Sequence, residues 1–463
     1  MAQARTVDVT RLIDERGVSR FHIGLVVFAF FIVMIDGYDI AALGFAIPSL
    51  VKDWHITNQA ALGPALSASL LGMLVGAPSL GALGDRIGRK HAINLSLVSF
   101  GIFTWLTVLT HSVGQIALLR LLAGIGIGGF MPNIIALVGE FAPRNFRATL
   151  IIVSFVGVGF GGGLPGPVAA LLVPEHGWQI LFTIGGAGPL VVALVCWLGL
   201  PESIKYLTLT PSRRGELLRL LKRVRPDLSF GPETRFTIAD EKQYRGLSPK
   251  HLFADGLALI TPLLWGLFIF NLMGYFFLVS WTPFLLSAAH LPMSQAAIAQ
   301  TVFQVGATFG SWALCVPIDR KGLWPIALMF TAAVPAVALI GIVGPISRPW
   351  LLTIEFFAGV CVLGLQGGIN ATAASIYPTS CRSNGTGWAL GMGRVGAMLG
   401  PVLGGVLIAR HLPIEQLFLI AAIPFAIGAV LCFWLAQLYT VRFKGTGLGQ
   451  RAALDSAAAA GSD

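Results

Sequence analysis

Asp36 and Asp39 are the only Asp, Glu, Lys or Arg residues between Phe21 and Val51. Three residues apart, they share one face of a helix. Their mutual repulsion and the loss of water around them favour a protonated form of at least one at neutral pH. An ionisable side chain at bilayer depth is costly, so each is a functional candidate, and a carboxyl that can gain and lose a proton there suits proton coupling. Two arginines lie in similar surroundings. Arg394 stands about ten residues into its apolar stretch, close to the depth of Asp36. Arginine offers five donors and no accessible neutral form, so it can grip a carboxylate with two parallel bonds but cannot carry the proton. Arg120 lies nearer the other end of its stretch and can meet Asp39, either as a fixed ion pair or as a substrate contact.

Polar and aromatic residues inside other apolar stretches extend the set of candidates. Asn133, Gln304, Gln366 and Asn370 can bond a substituent on a substrate ring or bond helix to helix. Asn271 and Tyr275 stand beside Phe270, Phe276, Phe277 and Trp281 in one stretch, and Trp388 in another. Aromatic walls suit an aromatic ligand, since ring pairs gain roughly 0.5–1.5 kcal/mol beyond burial.

The elements that position these residues follow from composition. The chain has 463 residues, 55% hydrophobic and only 11% charged, whereas a soluble domain carries roughly 25% charged residues. A soluble fold is therefore excluded. Of the 52 charged residues, 18 fall between Glu202 and Asp255, which leaves long uncharged stretches elsewhere. Twelve continuous apolar runs, about 21–49, 60–83, 91–110, 114–138, 148–173, 178–200, 257–288, 294–317, 323–344, 350–371, 384–409 and 414–438, are long enough to span a bilayer as helices. A β-barrel would show roughly ten-residue alternating segments instead. The first run is too long for a signal-peptide core and should stay attached.

This pattern predicts an all-α membrane protein with a cytoplasmic arm (1–20), a six-helix bundle (21–200), a cytoplasmic central loop (201–256), a second six-helix bundle (257–439) and a cytoplasmic tail (440–463). With the N-terminus inside, the inside segments carry 15 Lys and Arg, the central loop left out, against 3 in the outside loops. The positive-inside rule thus places both termini in the cytoplasm. The net charge of +10 reflects this asymmetry, with attraction to anionic lipid as a by-product, and implies no nucleic-acid partner.

Several patterns carry no chemistry. Cys196, Cys315, Cys361, Cys381 and Cys432 are scattered without metal-ligand spacing and read as packing residues. Gly124-x-Gly126-x-x-Gly129 and Gly157-x-Gly159-x-x-Gly162 match a dinucleotide fingerprint in letters, but they lie inside apolar runs where close helix packing explains them. There is no phosphate-binding loop, no cofactor motif and no catalytic cluster, and the central loop supplies no signalling domain. A transmembrane enzyme and a receptor are thereby disfavoured.

The chain repeats internally. A shift of 235 residues sets Arg120-Leu-Leu-Ala-Gly124 on Glu355-Phe-Phe-Ala-Gly359 and Pro143-x-x-x-Arg147 on Pro378-x-x-x-Arg382. A shift of 234 sets Asp85-Arg86 on Asp319-Arg320. Glu355, the counterpart of Arg120, reads as interfacial. Parallel repeats of this kind place a substrate near the midplane and work by rocking one half against the other.

After the second run the chain reads Gly81-Ala-Leu-Gly-Asp85-Arg86-Ile-Gly88-Arg89-Lys90. This resembles the loop signature of the major facilitator superfamily, at the position where that family carries it. The resemblance implies a cytoplasmic charge relay that latches the outward-facing state, with Glu140 and Arg147 as neighbouring members. The second copy has Cys315 in place of the glycine and would contribute less. Asp36-Gly-Tyr-Asp39, Arg120-x-x-x-Gly124 and Gly387-Trp388-Ala-Leu-Gly391-Met-Gly393-Arg394 narrow the resemblance to the aromatic acid:proton symporters, over essentially all twelve runs. One departure is Asn384, where threonine is expected.

The resemblance implies uptake of a benzoate-type acid with a proton across a bacterial cytoplasmic membrane, by a monomer without cofactor. The expected mechanism is competition: Arg394 holds an ionised aspartate until a substrate carboxylate takes over the arginine and the aspartate binds a proton. The alternatives are a carrier for another organic anion or a sugar, and an antiporter.

Overall fold

The computed structural model describes residues 6–14, 17–143, 146–225, 234–237, 252–253, 257–343, 346–377 and 382–442. A short strand β1 (Thr6–Asp8) and helix α1 (Val9–Asp14) precede the first long helix, α2 (Arg20–Asp53). Then come α3 (Leu62–Ile87), α4 (Arg89–Leu106), α5 (Val113–Phe141), α6 (Arg147–Gly163), α7 (Pro165–His176) and α8 (Gln179–Gly199). The loop region holds α9 (Ile204–Leu209), α10 (Arg214–Val224) and strand β2 (Arg235–Thr237). The second set is α11 (Ile260–Ala288), α12 (Met293–Lys321), α13 (Trp324–Val343), α14 (Arg348–Ile376), α15 (Arg382–Ile408) and α16 (Ile414–Arg442).

With α6 and α7 taken as one span broken at Leu164, where Pro165 removes a backbone donor, the twelve expected runs coincide with twelve long helical segments among the described residues. Eleven are long and apolar enough to cross a bilayer, and α12, at 29 residues, is the twelfth long helix. The repeat is visible in the helix boundaries themselves. Helices α4, α5, α6 and α8 begin at residues 89, 113, 147 and 179; α13, α14, α15 and α16 begin 235 residues later, at 324, 348, 382 and 414.

Packing divides the chain into two compact units. The first comprises Met1–Asp39, Leu71–Gly161 and Phe182–Gln243. Its helices meet through glycines: a Cβ on Gly37 would collide with the Val158 carbonyl, and one on Gly161 with the Met34 carbonyl, so α2 and α6 touch backbone to backbone on either side of Asp36. Gly72, Gly76 and Gly128 bring α3 against α5 in the same way. This unit also holds a feature that the sequence did not announce. β1 and β2 pair in parallel, Thr6 opposite Arg235. Arg225 Nη1 donates to the Leu12 carbonyl (2.9 Å) and Arg214 Nη2 to the Thr234 carbonyl (2.8 Å). Leu217, Leu220, Leu221 and Val224 form the buried face of α10, so the N-terminal arm and the central loop fold together.

The second unit comprises Ile40–Leu70, Gly162–Leu181 and Tyr244–Asp463. Glycine contacts again set the seams, Gly306 and Gly359 between α12 and α14, Gly396 and Gly400 between α15 and α11. The unit includes first-repeat segments packed on second-repeat helices. Ser67 Oγ donates to the Met398 carbonyl (2.7 Å), and Thr301 Oγ1 to the Gly163 carbonyl (3.2 Å). A Cβ on Gly63 would stand 2.8 Å from Val402 Cα, and one on Gly44 2.7 Å from the Val279 carbonyl oxygen. Within this unit, segments of α2, α3 and the α6–α7 break are thus packed on α11, α12 and α15.

Candidate functional site

Asp36 and Asp39 are the seventeenth and twentieth residues of the 34-residue α2, and both are buried. Asp39 Oδ1 accepts a bond from Arg120 Nη2 at 2.6 Å, and the same nitrogen stands 3.0 Å from Thr104 Oγ1 on α4. The guanidinium also lies over the Phe182 ring at 5.7 Å. With Arg120 1% exposed and Asp39 4%, this is an ion pair removed from water. Charge-assisted bonds of this length are the strong ones. Arg120 Nε and Nη1 have no hydrogen-bond partner among the described residues. The guanidinium therefore holds the aspartate with one edge and keeps donors that an incoming oxyanion could use. Asp39 is partnered by Arg120 within the first unit, the pairing that position along the chain made possible.

The remaining candidates in the spans belong mostly to the second unit. Arg394 is the thirteenth of the 27 residues of α15 and partly exposed. Its neighbours Gly393 and Gly396 admit Leu272 and the Ile269 carbonyl of α11 at close range. Asn271 Nδ2 donates to Gln366 Oε1 (3.0 Å), and Gln366 Nε2 to Asn370 Oδ1 (3.1 Å), so three of the predicted polar residues form one chain between α11 and α14. Tyr275 is stacked on Phe303 with centroids 6.4 Å apart, and Trp388 on Trp265 at 5.9 Å. Gln304 is buried on α12, against Gly162. Asn133, in the first unit, donates to the carbonyls of Gly129 (2.8 Å) and Leu80 (3.2 Å), which commits its amide nitrogen to the α3–α5 seam. Glu355, near the start of α14, is 1% exposed.

The residues after α3 form a second constellation. Gly88 adopts φ +98°, a region open to glycine and strained for other residues, and breaks the chain between α3 and α4. Gly81 lies against Pro132 of α5. Arg89 Nε donates to Glu140 Oε1 (2.6 Å), and Arg89 Nη2 lies 3.2 Å from Asp85 Oδ1. Asp85 and Arg86 are exposed. Lys90 gives its backbone N–H to Glu202 Oε1 (3.1 Å), and His91 Nδ1 stands 3.0 Å from Glu202 Oε2. Glu202 therefore anchors the start of α4, and Ser203 Oγ joins it to the network through Glu140 Oε2. The pairing of Glu140 with this basic turn was legible in the sequence; the part of Glu202 was not, because 112 residues separate it from Lys90. The side chains of Arg147, Asp319, Arg320 and Cys315 lie outside the described residues.

The comparisons with known proteins agree with this architecture. The Major Facilitator Superfamily model matches residues 29–393. The 4-hydroxybenzoate transporter PcaK of Pseudomonas putida is 33% identical over 92% of this chain and 95% of its own length. The gallate transporter of the same species is 31% identical, with 90% and 92% covered. Among solved structures, a bacterial homologue of the human lysosomal transporter Spinster superposes with TM-score 0.67 at 16% identity, over 91% of this chain and 98% of that one. At that identity it speaks for the fold alone. A repeat of six plus six spans, the Gly81–Lys90 turn and these full-length relatives agree: the chain belongs to the Major Facilitator Superfamily, among its aromatic acid transporters.

Proposed function

We propose that this protein imports an aromatic carboxylate together with a proton by alternating access. It would work as a monomer in a bacterial cytoplasmic membrane, with both termini on the cytoplasmic side. The observation that carries the coupling is the buried Asp39–Arg120 pair with its two unused guanidinium donors. A substrate carboxylate that binds Nε and Nη1 of Arg120 draws the cation away from Asp39. Asp39 then takes a proton, since an ionised carboxylate without a cation is costly away from water. Charge balances: one anion and one proton enter a neutral pair. The second unit, taken by itself, carries the Asn271–Gln366–Asn370 chain of polar groups and the Tyr275 and Trp388 ring stacks, side-chain types suited to a hydroxylated aromatic ligand. The relatives' substrates, gallate and 4-hydroxybenzoate, support a hydroxylated aromatic acid. In this reading Asp85, Arg89, Glu140 and Glu202 govern the rocking step and leave binding alone.

A second reading places the substrate carboxylate on Arg394, favoured by its mid-span position and partial exposure. The test is uptake into proteoliposomes of labelled 4-hydroxybenzoate, gallate, benzoate and glucose under an imposed pH gradient, with and without a protonophore. Accumulation of at least one aromatic acid, abolished by the protonophore, is expected. Accumulation of glucose alone, or indifference to the protonophore, would overturn the proposal.

A further inference from the structure

Glu355 is the eighth residue of the 29-residue α14, as Arg120 is the eighth of the 29-residue α5, so the two occupy the same place in their repeats. Arg120 has Asp39 as its counter-charge; Glu355 has none among the described residues. Its carboxylate makes no ion pair or hydrogen bond among the described residues, and its Oε1 is fully enclosed without a partner. Among the described residues, α11, α12, α13 and α15 pack on α14. Helix α13 carries no titratable residue, and α11 carries only Tyr275. The charged residues of α12, Asp319, Arg320 and Lys321, come at least thirteen residues beyond Gly306, whose added Cβ would meet the Phe356 carbonyl beside Glu355. On α15 the cations are Arg382, at its start, and Arg394, at its middle; α14 itself adds Arg348 in its first turn and Cys361.

An ionised carboxylate in such a place would cost several kcal/mol or more. A carboxyl here gains nothing in packing over an amide or an apolar side chain. What it alone offers is an exchangeable proton. The residues one and two turns further along its face of α14, Ala358, Gly359 and Val362, are apolar, and the next polar group there is Gln366, eleven residues and about 16 Å along the axis. Gln366 is bonded to Asn271 and Asn370.

We propose that Glu355 is a second proton-binding site of the carrier, located in the second repeat, loaded with a proton in the conformation described here and exchanging it when the conformation changes. The coupling role rests on the proton symport proposed above; the protonation itself does not. The first measurement therefore needs no substrate and no variant. Wild-type protein in detergent is treated with dicyclohexylcarbodiimide, which attacks protonated carboxyls in apolar surroundings, over a pH series, and its peptides are mapped by mass spectrometry. Labelling of the Glu355 peptide at neutral pH that fades under alkaline conditions is expected. No labelling at any pH overturns the proposal, since a proton that is absent or never reachable cannot be exchanged.

The second measurement reconstitutes Glu355→Gln and Glu355→Asp beside the wild type, with 4-hydroxybenzoate as probe. Loss of one coupled proton lowers steady accumulation by about tenfold per unit of imposed pH gradient. That loss is expected in the glutamine variant, with recovery in the aspartate variant; wild-type accumulation in E355Q overturns the proposal. If the wild type moves no aromatic acid, the symport reading fails, and the labelling result stands by itself. If E355Q does not fold, the wild-type labelling decides.

Discussion

Replacing Asp39 by Asn keeps an oxygen acceptor for Arg120 Nη2 but removes the only anion bonded to that guanidinium among the described residues. Arg120 cannot shed its proton, so D39N leaves a buried, uncompensated cation, a change that costs about 3–5 kcal/mol. Arg120→Met leaves Asp39 without its cation, and the carboxyl must take up a proton that it would not hold in the unfolded chain at neutral pH, at a similar cost. Removing both charges at once leaves an unsatisfied amide, worth about 1–3 kcal/mol. The double variant should thus be more stable than either single one predicts, with a coupling of at least about 3 kcal/mol. Equilibrium unfolding in mixed micelles of the wild type, both single variants and the double variant reads this number. Transport separates structure from coupling: D39N/R120M should regain stability and still fail to accumulate 4-hydroxybenzoate against a gradient. Additive destabilisation, with a coupling near zero, would refute the ion pair as the organising interaction of the first unit. Full accumulation by the double variant would refute Asp39 as the proton carrier.

Three further outcomes are expected. Asp85→Asn should slow transport while leaving substrate affinity unchanged, and it should alter stability by less than about 0.5 kcal/mol because the Asp85 carboxylate is largely exposed; a loss of affinity at unchanged turnover would contradict the latch role. Arg394→Lys keeps the charge but not the two-pronged geometry. If Arg394 anchors the carboxylate, affinity for 4-hydroxybenzoate falls by about tenfold or more, while affinity for the corresponding amide barely changes; a double cycle over residue and ligand near zero assigns the anchor to Arg120. Gly161→Ala places a Cβ against the Met34 carbonyl, and overpacking of this kind costs about 1–3 kcal/mol, to be read as a lower unfolding midpoint in the same micelles; a wild-type midpoint would show that α2 and α6 can part freely.

The span pattern was open to reading from residue types alone. A lipid-facing helix must satisfy its backbone internally and present apolar side chains over about 20 residues. Those demands are local, so the twelve runs and the helices agree to within a few residues, and the 235-residue repeat reappears in the helix starts. The candidate charges were also legible, because Asp36, Asp39, Arg120 and Arg394 stand out against an uncharged background. Partnership was not legible in the same way. Asp39 lies 81 residues from Arg120, and several arginines could have met it; the Gly37–Val158 and Gly161–Met34 backbone contacts set where α2 lies, and packing of α4 and α8 brings Thr104 and Phe182 to the same guanidinium. The interior burial of Glu355, the anchoring of α4 by Glu202 and the pairing of Thr6–Asp8 with Arg235–Thr237 share that character. Periodicity and composition record what each segment needs from its solvent. Which buried charge finds a counter-charge, and which is left to hold a proton, depends on contacts between residues far apart in the chain, and only the packed structure decides them.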